Sequence, residues 1–144
     1  MTGWPLIRKE VSYWITATHH LRGVSTHPDA EEIHEHCWQI TLIFEHWEVR
    51  PEKGFTRDEA DIDRSFGPRV RELHGKHLND LMPVPPTSEN LAIWLLADWM
   101  VNLTPHEENY EVDAIRVSKE GPFVAEARRS QVKKWHAWVS GGAA

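Results

Sequence analysis

The sequence predicts an α+β domain in which a four-stranded antiparallel sheet packs with two helices. Three observations favour this class. Two long segments near the start alternate apolar and polar side chains, as strands do. Two segments in the middle repeat apolar residues at intervals of three and four, as amphipathic helices do. Two short alternating segments follow, so the predicted order is strand, strand, helix, helix, strand, strand.

The first two strands are predicted over residues 6–21 and 33–49, with a loop containing Gly23 and Pro28 between them. Alternation places His19 on the same face of the first strand as Ile15 and Ala17. In the second strand one face carries His34, His36, Trp38, Ile40, Leu42 and Phe44.

The helical period spans residues 57–73, and its apolar stripe consists of Ile62, Phe66, Val70, Leu73 and His77. The pair Gly67-Pro68 inside this segment predicts a kink or a later start of the helix. After a proline-rich break at residues 82–86, Thr87 is predicted to cap the second helix, with Glu89 in its first turn. Residues 112–118 and 123–128 form the second hairpin around Gly121-Pro122.

Composition indicates one globular domain over residues 1–144, with 40% hydrophobic and 26% charged residues. The net charge of −6 argues against a nucleic-acid or anionic-membrane partner. No apolar run reaches the roughly 20 residues of a membrane span. A single cysteine and the lack of a signal peptide predict a cytoplasmic protein. Ten histidines are many for this length and raise the expectation of a metal site.

The candidate metal ligands are His19, His34 and His36. On a strand, residues two apart project to the same side, so His34 and His36 can present their imidazoles to one ion. His19 lies near the end of the neighbouring strand. Three neutral imidazoles leave a fourth coordination position open, which is typical of a catalytic zinc. The alternative interpretation is that these histidines bind no metal, which is the more common case for an isolated H-x-H sequence.

Five stretches resemble the 6-pyruvoyl-tetrahydropterin / 6-carboxytetrahydropterin synthase family. They are ITATHHL at residues 15–21, HEH at 34–36, LHGKHLND at 73–80, PTSENLA at 86–92 and VDAIRVSKE at 112–120. In the family these correspond to F-x-A-A-H-x-L, H-G-H, L-D-H-x-x-L-N-D, P-T-S-E-x-L-A and a late strand ending V-x-V-x-E-T. The resemblance covers roughly residues 10–128 and leaves a C-terminal extension, residues 129–144.

The resemblance implies the tunnelling fold, whose protomers close into a barrel, commonly a hexamer of two trimers. It implies Zn²⁺ held by His19, His34 and His36, and active sites between protomers that take a small-molecule substrate. Trp135 and Trp138, beyond the matched region, are then expected to pack against the barrel or a neighbouring protomer.

Four functional positions depart from the family pattern. The family cysteine, which acts as base, is Ala30 here. The aspartate–histidine pair that relays protons is His74-Gly75, and the glutamate that anchors the pterin ring is Lys119. A fifth departure is Glu35, which replaces the glycine between the zinc histidines. Because alanine cannot take a proton and lysine cannot accept the hydrogen bonds that a carboxylate accepts, ordinary family turnover is not expected.

Nearby residues offer substitutes. His74 and His77 are the candidate proton-transfer residues. Alternation turns Cys37 away from the histidines and predicts a buried small hydrophobe. Glu120 faces away from the side of Ile115 and Val117 unless a one-residue bulge intervenes. The candidate substrate-binding residues are Lys119, Glu120, Thr87 and Glu35.

These features predict a zinc-dependent enzyme with repurposed lyase or isomerase chemistry, because no redox-cofactor or nucleotide motif is visible. One alternative is a non-catalytic zinc-binding subunit that serves binding or assembly. Another is an ordinary family synthase that acts on dihydroneopterin triphosphate.

Overall fold

A computed structural model describes residues 3–54, 56–102 and 112–142 of the chain. The described elements follow the predicted order and add a short third helix. They are β1 (Leu6–His19), β2 (His34–Glu48), α1 (Glu59–Arg71), α2 (Ser88–Asn102), β3 (Ala114–Ser118), β4 (Val124–Arg128) and α3 (Val132–Ala137). Among the described residues, no helix has the length and apolar character needed to cross a membrane.

The four strands form one antiparallel sheet in the order β1-β2-β3-β4, which confirms the predicted fold class. The ladder between β1 and β2 runs to the pair His19–His34 at one end of the sheet. The ladder between β2 and β3 is shorter and ends at the pair Gln39–Ser118. The first residues of β2 therefore extend beyond the end of β3. His34 and His36 lie in this part, where β2 pairs only with β1.

One face of the sheet carries the core. Trp38, Ile40, Leu42 and Phe44 of β2 are fully buried, as the alternation predicted. Phe66 of α1 lies 5.8 Å from Phe44 and 5.5 Å from Trp99 of α2, measured between ring centroids. Both long helices therefore pack on the same face of the sheet.

The first helix differs from the prediction at both ends. It begins at Glu59, where the Asp58 side chain accepts a hydrogen bond from the Ala60 amide at 2.9 Å. The prediction that Gly67-Pro68 delays the start of the helix is wrong, since Pro68 lies inside it. The helix ends at Arg71, so His77 lies in the following turns and not on the apolar stripe. Nine helical residues precede Pro68, so the helix is already formed where proline removes one backbone N–H donor, and it continues to Arg71.

The C-terminal segment folds back on the domain. Val132 of α3 is buried, and Trp135 packs against the core of its own protomer. Trp138 is 55% exposed in the protomer. The sequence did not predict α3, because its six residues show too little of an apolar period.

Candidate metal centre

Three histidines converge where β1 ends and β2 begins. His19 is paired directly with His34 across the two strands, and His36 lies two residues further on the same face. The Nε2 atoms of His19 and His34 are 2.9 Å apart. One ring nitrogen from each of the three residues lies within 4.8 Å of the others. We refer to His19, His34 and His36 as the histidine triad.

The outer nitrogen of each triad ring has an oxygen partner. His19 Nδ1 donates to the Pro86 carbonyl at 2.8 Å, and His34 Nδ1 donates to the Glu32 carbonyl at 2.7 Å. His36 Nδ1 donates to a carboxylate oxygen of Glu120 at 2.7 Å. Because these oxygens accept hydrogen bonds, the proton of each neutral ring is on Nδ1 and the Nε2 lone pair is free.

This arrangement fits a metal cation. In the neutral rings, His19 and His34 direct two Nε2 lone pairs at each other across 2.9 Å, and neither nitrogen carries a proton to donate. His19 is fully buried, and this burial lowers its pKa from the usual 6.5 to about 4, so the ring stays neutral near pH 7. A cation relieves the repulsion between the lone pairs. Three neutral imidazoles with an oxygen partner behind each ring are the ligand set that zinc takes in catalytic sites.

Trp38 forms the floor of the triad. Its ring centroid lies 5.1 Å from that of His19 and 5.6 Å from that of His36, with both pairs close to perpendicular. The indole Nε1 donates to the Ala17 carbonyl at 3.1 Å, which fixes the ring between the first two strands. The position of the two histidines therefore depends on a fully buried aromatic side chain.

Titration of His19 predicts that the metal-free protein is less stable in acid. The folded-state pKa, about 4, lies below the unfolded value of 6.5, so the unfolded chain binds the proton more readily between these values. This contribution to stability is complete above pH 6.5 and is lost as the pH falls towards 4. We expect the melting temperature of chelator-treated protein to fall over this window, and His19→Gln to flatten that part of the profile. The matched variant His27→Gln, at an exposed histidine, should keep the wild-type slope.

Lys119 and Glu120 reach the triad from the turn after β3. The Lys119 ammonium lies 5.6 Å from the centroid of the Trp38 ring. Glu120 contacts His36, so the expectation that it faces away was wrong. That expectation assumed strand alternation, but β3 ends at Ser118 and the alternation ends with it.

A pocket of about 820 Å³ adjoins the triad through these two residues. The N-terminus of α2 contributes Ser88 to its wall, and the C-terminal segment contributes Lys134 and Trp135. Further residues of α2, the turn before β4, β4 itself and Gln131 complete the walls. The C-terminal extension therefore lines a cavity that adjoins the candidate metal centre.

His74 and His77 lie outside the triad in the protomer. The Thr16 amide donates to His74 Nδ1 at 3.0 Å, and the Thr18 hydroxyl shares a 2.8 Å hydrogen bond with His77 Nδ1. Both histidines thus lie along the outer edge of β1, where the turn after α1 pairs with that strand. Gly75 between them has a φ of +76°, a conformation that the histidine of the family pattern would adopt only under strain.

The other candidates have separate positions. Thr87 caps α2, as predicted, by accepting a hydrogen bond from the Asn90 amide at 3.1 Å. Glu35 is paired with Thr18 and alternates with the triad histidines, so it projects from the opposite face. Cys37 is exposed, and the prediction that it is buried was wrong. It lies beyond the last residue pair between β2 and β3, where the sheet is only two strands wide.

Sequence patterns missed three contributors to this centre. The carbonyls of Pro86 and Glu32 carry no side-chain signal, and their role depends on where the backbone passes the rings. Trp38 was predicted on the correct face but not as the floor of the triad. Only its spacing of two from His36 indicated that the two side chains are neighbours.

Known proteins share this fold and part of this sequence. The fold is similar to that of Caenorhabditis elegans 6-pyruvoyl tetrahydropterin synthase, with a TM-score of 0.69 at 16% identity over 89% of this chain and 99% of that one. An uncharacterized protein from Wolinella succinogenes gives 0.66 at 14% identity, over 87% and 99% of the chains. Plasmodium falciparum 6-pyruvoyl tetrahydropterin synthase gives 0.55 at 13%, over 84% and 98%. No curated protein sequence matches the chain.

At these identities the structural likeness establishes the fold alone. Membership of a family follows from the sequence, because the 6-pyruvoyl tetrahydropterin synthase family model matches residues 7–130. The match includes all three histidines of the triad and ends before α3. The chain belongs to the 6-pyruvoyl tetrahydropterin synthase family.

Proposed function

We propose that this protein binds Zn²⁺ through His19, His34 and His36 and acts on a small molecule in a lyase or isomerase reaction. The observation that carries the proposal is that all three rings have the same hydrogen-bonding pattern. Each Nδ1 is engaged by an oxygen, and each Nε2 is left for a common ion. When bound, zinc supplies a Lewis acid that polarises a carbonyl or a neighbouring oxygen of the substrate.

The position of Lys119 beside the triad favours a substrate with an anionic group, although the pocket lining as a whole also carries the carboxylates of Glu89, Glu120 and Glu126. Lys119 stands where the family pattern has a carboxylate, and an ammonium donates hydrogen bonds but accepts none. It therefore suits a carboxylate or phosphate and not the guanidine-like edge of a pterin. Lys134 adds a second cation to the same pocket wall.

Self-association into a trimer or hexamer is part of the proposal. The outer edge of β4 pairs with no other strand among the described residues, and an open edge favours addition of another strand. His74 and His77 lie on the outer edge of β1, at the other side of the sheet. They transfer protons at the triad only if a neighbouring protomer brings that edge to it.

A lysine substitution tests the anion preference. We expect Lys119→Ala to weaken binding of inorganic pyrophosphate to the zinc-loaded protein about tenfold, because a hydrogen bond to a charged group is lost at a partly exposed site. Isothermal titration calorimetry measures this directly. Lys133→Ala is the control, because Lys133 is an exposed residue of the C-terminal extension that does not line the pocket. The pyrophosphate affinity of this variant should equal that of wild type. Equal affinities for wild type and Lys119→Ala would remove Lys119 from the binding site.

A non-catalytic zinc-binding subunit is the second candidate. It is favoured by the residues at the family's proton-transfer positions, Ala30 and Gly75, which cannot transfer protons. Incubation with dihydroneopterin triphosphate separates ordinary synthase activity from both proposals. We expect no release of triphosphate even at high protein concentration, and release would restore the ordinary synthase interpretation.

A further inference from the structure

Glu120 joins the turn after β3 to the start of β2 through both of its carboxylate oxygens. Oε1 accepts a hydrogen bond from His36 Nδ1 at 2.7 Å, and Oε2 accepts one from the Cys37 amide at 2.8 Å. The two donors belong to consecutive residues, so the carboxylate is held in one orientation. Its pKa is lowered, chiefly by the Cys37 amide and further by His36, so the group is ionised near neutral pH.

Among the triad rings, only that of His36 is paired with a charged group. His19 and His34 donate to the backbone carbonyls of Pro86 and Glu32. A carboxylate behind an imidazole fixes its tautomer and its orientation and makes the opposite nitrogen a better ligand. The negative charge of Glu120 also offsets part of the charge of a cation held by three neutral rings.

Glu120 and Lys119 differ in the partners that β2 provides for them. Each Glu120 oxygen accepts one hydrogen bond from the protein and keeps a second lone pair, so both contacts to β2 can persist when a ligand is present. The Lys119 ammonium instead lies over the Trp38 ring of β2, and this contact does not use its N–H donors in a hydrogen bond to the ring. Of these two adjacent residues, Glu120 thus contacts a candidate metal ligand, and Lys119 is the one proposed to bind the substrate anion.

We propose that Glu120 is a positioning residue that acts through His36 on the metal. This inference rests on the proposed zinc site. It assigns the turn between β3 and β4 a role in metal affinity, and it separates Glu120 from Lys119, which remains the proposed anion-binding residue.

Zinc affinity of Glu120 variants tests the proposal. We expect Glu120→Ala to raise the zinc dissociation constant by about 10- to 100-fold, measured by competition with a chromogenic chelator. Glu120→Gln should also weaken binding, because an amide offers only one oxygen and turns an N–H group towards either His36 or the Cys37 amide. Glu89→Gln is the matched control, since it removes a negative charge from the same pocket without a contact to the triad, and its affinity should equal that of wild type.

A spectroscopic readout separates positioning from a general loss of structure. We expect the visible absorption of the Co²⁺-substituted protein to change in Glu120→Gln and to stay unchanged in Glu89→Gln, while circular dichroism shows all three proteins folded. If wild type binds zinc tightly and Glu120→Ala binds it equally tightly, the role of Glu120 is refuted and the zinc site stands. If wild type binds no zinc, the proposed function and this inference both fail.

Discussion

Replacing Trp38 by alanine is expected to lower the free energy of unfolding by about 3–5 kcal/mol, which is typical of truncating a large buried aromatic residue. Trp38 is fully buried and donates a hydrogen bond to the Ala17 carbonyl. Its loss leaves a cavity beneath the triad and removes the hydrogen bond to the Ala17 carbonyl. Because the His19 and His36 rings pack on the indole, we also expect weaker zinc binding. Urea denaturation of the metal-free protein measures the first effect, and chelator competition measures the second.

Trp14→Ala is the matched control for this substitution. Trp14 lies on β1 in the same sheet but is 63% exposed, so its truncation should change the free energy of unfolding by no more than about 0.5 kcal/mol. Zinc affinity should be unaltered in this variant. Similar losses of stability in the two variants would mean that Trp38 does not support the centre as described.

Removal of the metal is expected to lower the melting temperature of the wild-type protein markedly. Free zinc at 100 times its dissociation constant stabilises the folded state by about 2.7 kcal/mol, if the unfolded chain does not bind it. For a domain of this size each kcal/mol corresponds to about 3–5 °C, so the expected decrease is roughly 8–13 °C. Differential scanning calorimetry with and without a chelator measures the difference.

His34→Ala provides the control for the chelator experiment. This variant lacks one ligand of the triad, so its melting temperature should respond little to zinc or to chelator, whatever its absolute stability. A wild-type melting temperature that is insensitive to the chelator would contradict a metal bound to the folded state. An equal response in wild type and His34→Ala would place the metal elsewhere.

The sheet and the triad could be predicted because both depend on short-range alternation. The period of two along β2 places His34, His36 and Trp38 on one face whatever the rest of the chain does. The hairpin between β1 and β2 then brings His19 opposite His34, through a register fixed by the buried side chains of both strands. These constraints are local or nearly so, and the sequence carries them directly.

Features that depend on where a strand ends could not be predicted. Glu120 contacts His36 because β3 ends at Ser118, and Cys37 is exposed because the ladder between β2 and β3 ends at Gln39. A shift of one or two residues in these ends reverses both conclusions. The position of His74 likewise follows from pairing of a turn with the β1 edge, a contact between segments 58 residues apart.

The metal content of the purified protein tests the central claim most directly. We would purify the untagged wild-type chain without added metal and measure zinc per chain by plasma mass spectrometry, alongside His19→Ala and His36→Ala. The triad predicts about one zinc per wild-type chain and its loss in both variants. A folded wild-type protein that holds no zinc, even after zinc is offered and the excess is dialysed away, would contradict the claim that these three histidines form a metal centre.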